Sequence, residues 1–162
     1  MNTKKLLIAF VVVYIVLEVL NYLIHGVILA STYQMDSVKV AFRPEAEMNS
    51  NMWIMFLADL VWAYLFVFFF AKGYEGKGIM EGLRFGFYIG LFWGLVSSLS
   101  NYVVVPIPFS LALQWFIYGM IETLILGVAA ALVYKPKETA AQTAALTVYV
   151  PQVVVAMECS MV

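Results

Sequence analysis

The chain has 162 residues, of which 64% are hydrophobic and 12% charged, with a formal net charge of −1. Because soluble domains carry roughly 25% charged residues, this composition excludes a soluble globular domain, and it leaves no basic surface for nucleic acid. The single cysteine, Cys159, cannot form an internal disulfide, and no cysteine or histidine spacing matches a structural zinc site. An integral membrane protein is the class that remains.

Four apolar segments are each about 20 residues long, the length that an α-helix needs to cross a hydrocarbon core of roughly 30 Å. We predict an all-α integral membrane protein in which residues 1–137 form a four-transmembrane-helix bundle and residues 138–162 form an apolar C-terminal tail. The predicted spans are 6–30, 52–71, 85–105 and 111–134. Pro106 and Pro108 interrupt the chain between the last two spans, so we expect these two to form an antiparallel hairpin.

The first span carries nearly all of its polar groups on one face. At 100° per residue these side chains fall within an arc of about 100°. They are Tyr14, Glu18, Asn21, Tyr22 and His25. A carboxylate is costly in hydrocarbon, so we expect this face to point into the bundle, into a water-filled cavity or towards a partner.

Two further carboxyl groups lie at a similar depth in other spans. Glu122 is near the middle of the fourth span, as Glu18 is in the first, and Asp59 lies about three residues outward of the centre of the second. His25 is the one cationic candidate in the outer half. We therefore expect at least some of the three carboxyl groups to be protonated at neutral pH, or paired with an ion or with a base from another subunit. The alternative is that each polar side chain hydrogen-bonds a neighbouring helix and holds the bundle together.

Small residues recur at every fourth position in the last two spans. In the third span they are Gly82, Gly86, Gly90, Gly94 and Ser98, and in the fourth they are Gly119, Thr123, Gly127 and Ala131. Such stripes let helices approach closely, so we predict that these two helices pack on each other along them. The alternative is that the smooth face serves another subunit or a pigment ring.

Lysine and arginine are distributed unevenly between the two sides of the membrane. Seven of the nine flank the N-terminus, the second loop or the C-terminal end of the bundle, and only Lys39 and Arg43 lie in the loop at 31–51. By the positive-inside rule both termini are expected to be cytoplasmic, in a membrane that we expect to be the cytoplasmic membrane of a prokaryote. The second span has aromatic side chains all round, including Phe66 and Phe70, and these are expected to face lipid.

Two functions fit this pattern. The first expectation is an accessory or scaffold subunit of a larger membrane complex, whose partners besides the lipid bilayer are other membrane subunits or further copies of the chain. The alternative is a small transporter, or a proton or cation pathway, that uses Glu18, Asp59, Glu122 and His25. The motifs of nucleophilic catalysis are absent, so catalysis is not expected. No metal or cofactor is predicted, and a bound lipid or pigment is left open.

Overall fold

The computed structural model describes residues 2–135, of which 84% are helical and none is in a strand. The helices are α1 (Thr3–Ile28), α2 (Ala30–Tyr33), α3 (Asp36–Lys39), α4 (Glu45–Lys72), α5 (Ile79–Val104) and α6 (Phe109–Val133). Within this part of the chain α1, α4, α5 and α6 are long and apolar enough to cross a membrane. The predicted all-helical class with four candidate spans is therefore confirmed. The expectations for the tail at 138–162 lie outside the described residues.

Two of the long helices begin earlier than their apolar segments. The helix α4 begins at Glu45 rather than at residue 52, directly after Pro44, and has two acidic residues in its first turn. The helix α5 begins at Ile79 rather than at residue 85, after Gly78. Proline just before a helix and acidic side chains in its first turn both favour helix initiation. Hydropathy marks where hydrocarbon begins, so it places these helix starts too late.

The four long helices lie in the order α4, α1, α6, α5. The helix α1 packs against α4 on one side and α6 on the other, and α5 packs against α6 as the second arm of the predicted hairpin. We call the end with the connections at 29–44 and 105–108 the loop end. The opposite end, with the turn at 73–78, is the turn end. Because α1 is central, its polar residues can face two neighbouring helices.

The main apolar core extends from the middle of the bundle to the turn end. It is built by α1, α4 and α6, and its fully buried side chains include Val13, Val67, Phe70, Leu126 and Tyr134. The ring centroid of Phe70 is 5.5 Å from that of Phe85 and 6.4 Å from that of Tyr134, so the core also reaches α5. Because lipid is as apolar as these side chains, their van der Waals packing is what holds the described helices together at the turn end.

The backbones of α5 and α6 approach each other closely at three glycines. A Cβ atom on Gly82 would overlap the backbone of Gly127, and one on Gly86 would lie 2.8 Å from the carbonyl carbon of Thr123. A Cβ atom on Gly127 would in turn overlap the backbone of Gly82. Gly94 and Gly119 differ, since the nearest atom to a Cβ on Gly94 is 3.9 Å away and none lies within 4 Å of one on Gly119. The two helices therefore touch at the turn end and diverge towards the loop end.

A buried carboxylate organises the turn at 73–78. Glu81 is only 4% exposed, and its two carboxylate oxygens accept hydrogen bonds from the backbone amides of Glu75 at 2.6 Å and Lys77 at 2.8 Å. Glu75 in turn pairs with Lys77 and with Arg84, and these hydrogen bonds and charges lower the pKa of its carboxyl group to about 2. The turn is thus joined by polar contacts to the first turns of α5.

A smaller core closes the loop end. Val38 of α3 is fully buried against Ile107, Leu111 and Ala112, and Tyr33 packs beside them. The connection at 29–44 therefore folds over the α5–α6 hairpin rather than extending into solvent. This position brings α2 to the mouth of the cavity described next.

Candidate functional site

A cavity of about 210 Å³ lies between α1, α5 and α6 in the loop-end half of the bundle. It occupies the region in which α5 and α6 diverge. Its lining is Ile24, His25, Trp93, Gly94, Ser97, Ser98, Asn101, Trp115, Tyr118, Gly119 and Glu122. Concave sites with a few converging polar groups are the usual location of ligand sites in proteins.

Two matching stripes of side chains build the opposite walls. On α5 the wall residues are Gly94, Ser97, Ser98 and Asn101, and on α6 they are Trp115, Tyr118, Gly119 and Glu122. Both stripes follow the spacing i, i+3, i+4, i+7, which places four side chains on one face of a helix. Small residues on α5 face bulky and acidic ones on α6, so the helices leave space between them.

Two irregular helical segments meet at this cavity. Residues Tyr22–Ile28 of α1 and Gly90–Leu95 of α5 are wound as π-helix. The first contributes Ile24 and His25 to the lining, and the second contributes Trp93 and Gly94. π-Helical turns are rare and occur often at functional sites, because the wider helix turns side chains away from the ordinary α-helical face.

A chain of three polar side chains bridges the mouth. The hydroxyl oxygen of Tyr33 accepts a hydrogen bond from Trp115 Nε1 at 2.8 Å and lies 2.6 Å from His25 Nδ1. Indole nitrogen can only donate, so the phenol proton of Tyr33 is free for His25 Nδ1 when that nitrogen is unprotonated. Burial raises the pKa of Tyr33 above its usual value, although the hydrogen bond from Trp115 opposes this, so the phenol keeps its proton at neutral pH.

The three intramembrane carboxyl groups form a series, Glu18, Asp59 and Glu122, in which each group lies within electrostatic range of the next. Asp59 is close enough to Glu18, and Glu122 close enough to Asp59, for the two carboxyl groups of each pair to repel each other if both were ionised. The amide of Asn21 donates a hydrogen bond to Asp59 Oδ2 at 3.4 Å. Among the described residues, Glu18 Oε1 and Glu122 Oε1 are buried without a hydrogen-bond partner. Such atoms are costly unless a proton, an ion or a ligand satisfies them.

The structure divides the predicted polar residues between three places. Glu18, Asn21 and Asp59 meet between α1 and α4, whereas His25 and Glu122 line the cavity. Tyr22 joins neither group, because it is 69% exposed and its ring lies against Gly26. It stands at one edge of the predicted arc, about 100° from Asn21 at the other edge.

Several cavity residues were missed by sequence reasoning. Trp93, Ser97, Trp115 and Tyr118 were not singled out, and neither was Tyr33 at the mouth. The repeated i, i+3, i+4, i+7 stripes on α5 and α6 could have identified the walls. No comparable pattern predicts Tyr33, because a residue in the connection at 29–44 reaches the mouth of the cavity only through tertiary folding.

The donor set does not resemble a metal centre. In residues 2–135 no three histidine, cysteine, aspartate or glutamate side chains lie close enough together to hold a metal ion. Ser97 and Asn101 donate to backbone carbonyl oxygens of α5 itself, at 3.4 and 2.9 Å. Glu122 contributes the one carboxyl group among the described residues that line the cavity.

No protein-family model, curated protein or solved structure matches the chain. The class of protein is therefore defined by the fold itself. Within the described range it is an all-helical protein with four helices able to span a membrane, which indicates a multi-pass membrane protein.

Proposed function

We propose that the protein is a small proton or cation pathway whose intramembrane site is formed by Glu122, Asp59 and Glu18. The observation that carries this proposal is the cavity lined by both His25 and Glu122, with Glu122 Oε1 buried and unpartnered among the described residues. Intramembrane carboxyl groups at a cavity are typical of proton and cation routes. Histidine at the mouth adds an imidazole side chain, which can take up and release a proton.

The proposed route has an orientation. By the positive-inside rule we expect the turn end in the cytoplasm and the loop end outside, which would put the mouth of the cavity in the outer half of the membrane. From the cavity the route continues from Glu122 towards Asp59 and Glu18, which lie within electrostatic range. Location in a prokaryotic cytoplasmic membrane remains a prediction.

We expect Glu122→Gln to abolish proton flux. The amide keeps the size of the side chain but can neither bind nor release a proton. The full chain is reconstituted into vesicles containing a pH-sensitive dye, and a potassium diffusion potential, negative inside, drives proton uptake. Wild-type vesicles are expected to acidify faster than protein-free vesicles, and those with Glu122→Gln only as fast as protein-free ones.

The matched control is Glu47→Gln in the first turn of α4. Glu47 is exposed, and its side chain pairs only weakly with Arg43 at 3.4 Å, so its loss removes a carboxyl group outside the cavity. This variant is expected to retain wild-type flux. Equal flux in wild-type and Glu122→Gln vesicles, or wild-type flux no greater than that of empty vesicles, would refute the proton pathway.

A second candidate function, the accessory subunit, is favoured by the face between α1 and α4. Glu18 and Asp59 would repel each other there if both were ionised, and the ion pairs among the described residues involve other groups, at Glu47 and Glu75. A base from another membrane subunit would neutralise the charge of this pair of carboxyl groups and favour assembly. A further copy of the chain is the other partner considered.

We expect Asp59→Asn to release such a subunit if the accessory function holds. The full chain is extracted from its native membrane in mild detergent, separated by size and examined by mass spectrometry for stoichiometric partners. Asp36→Asn, on the exposed side of α3, is the matched control. Migration of the wild-type chain alone would rule the accessory function out. Migration as a homo-oligomer would show that the partner is a second copy of the chain and not a different subunit.

A further inference from the structure

We propose that the cavity takes a small organic ammonium ion, held by Glu122 and by the aromatic rings beside it. This inference rests on the proposed function, for which it names the substrate class. The lining combines a single carboxyl group with Trp93, Trp115 and Tyr118. Carboxylate attracts the positive charge, and aromatic faces stabilise an alkylated cation that water solvates poorly.

The geometry of α6 puts these groups on one wall. Trp115, Tyr118 and Glu122 follow one another at spacings of three and four residues, so they lie along the same face of the helix. Trp93 comes from the opposite wall on α5. Trp93 is 57% exposed, so a ligand between the walls would have the α6 rings along one side, Trp93 at the border and the carboxyl group towards the middle of the membrane.

The supply of oxygen ligands argues against an inorganic ion as the main occupant. Calcium takes six to eight oxygen ligands, and magnesium demands near-octahedral coordination. The described residues provide no cluster of metal-ligating side chains, and Glu122 is the one acidic residue among the described residues that line the cavity. An alkylated ammonium needs only one counter-charge and a set of apolar or aromatic contacts.

The volume sets an upper limit on ligand size. Pockets for drug-sized molecules measure about 300–1,000 Å³, whereas this cavity measures about 210 Å³. A compact cation therefore suits the space better than a large ring system does. Choline is an appropriate probe, and its neutral carbon analogue 3,3-dimethyl-1-butanol has the same shape without the charge.

The test measures binding of the two probes to the full chain in lipid nanodiscs by isothermal titration calorimetry. Choline is expected to bind saturably, and the neutral alcohol to bind at least about tenfold more weakly. Glu122→Gln is expected to weaken choline binding by about tenfold or more because it removes the counter-charge. Equal binding of the two probes would overturn the inference, since the cavity would then select shape and not charge.

A pair of substitutions at Trp115 separates the ring from its hydrogen bond. Trp115→Phe keeps an aromatic face and loses the donor to Tyr33, so it is expected to bind choline nearly as well as the wild type. Trp115→Leu removes the face and is expected to bind choline several-fold more weakly. Trp62→Leu, which removes an indole stacked on Phe66 in α4, is the control that retains binding. An equal loss of choline binding in both Trp115 variants would assign the effect to the hydrogen bond with Tyr33 and overturn the role of the ring.

The flux assay distinguishes failure of this inference from failure of the proposed function. Proton flux that depends on Glu122, with no choline binding, would overturn the ligand class and leave the pathway intact. Choline binding without proton flux would support the ligand class and refute the proton pathway. Absence of both would overturn both proposals.

Discussion

Replacing Gly86 by alanine will destabilise the protein by about 3 kcal/mol or more, at the upper end of what overpacking costs. The added Cβ atom would lie 2.8 Å from the Thr123 carbonyl carbon and 2.9 Å from the Leu124 Cα atom, both of them backbone atoms. Backbone cannot rotate away as a side chain can, so α5 and α6 must separate. Unfolding in mixed micelles with dodecyl sulfate, followed by tryptophan fluorescence, measures the loss.

Two other glycines provide graded controls. At Gly90 the nearest atoms are the Thr123 hydroxyl oxygen at 2.6 Å and the Met120 sulfur at 2.7 Å, and the methionine can move, so alanine there is expected to cost about 1 kcal/mol. At Gly119 nothing lies within 4 Å, and alanine is expected to change stability by about 0.5 kcal/mol or less. Equal stability of all three variants would contradict the close approach of α5 and α6.

Replacing Gly119 by leucine will abolish flux while leaving the fold intact. Gly119 lines the cavity and has open space where its side chain would be. A leucine side chain can therefore enter the cavity without displacing a helix, and it would occupy the space between His25 and Glu122. Proton uptake by reconstituted vesicles is expected to fall to the level of protein-free vesicles, with the unfolding transition unchanged.

Alanine at position 119 tests whether flux is lost because the cavity is filled or because the glycine is replaced at all. Gly119→Ala adds one methyl group and leaves most of the cavity of about 210 Å³ open. It is therefore expected to retain most of the wild-type flux. Undiminished flux in a stably folded Gly119→Leu variant would show that ions do not pass through this cavity.

The class and the number of spans follow from the sequence, because hydrocarbon requires long apolar helices. Local details that depend on polar capping do not follow from hydropathy. The early start of α4 at Glu45 is one such detail, since Pro44 and the acidic first turn determine it. The burial of two aromatic residues of α4 is another such detail. Phe66 and Phe70 are 3% and 2% exposed, in the core rather than towards lipid, because α1 and α5 cover that side of α4.

The candidate site was only partly accessible to sequence reasoning. Periodicity identifies Glu18 and Asn21 as neighbours on α1, and the structure places Asp59 of α4 beside them. The order of the helices is a tertiary property, and only that order shows that His25 and Glu122 share a cavity. The π-helical winding of Tyr22–Ile28 has no signature in the hydropathy pattern.

The unequal distribution of apolar burial gives the bundle a gradient of local stability along its axis. The large core reaches the turn end, where glycines also bring the backbones of α5 and α6 together. Among the described residues, the loop end has the small cluster around Val38 and the polar bridge at Tyr33. Local opening begins where fewest apolar contacts must be broken. Thermal fluctuations are therefore expected to widen the cavity while the helices stay packed at the turn end. A solute can then exchange without global unfolding.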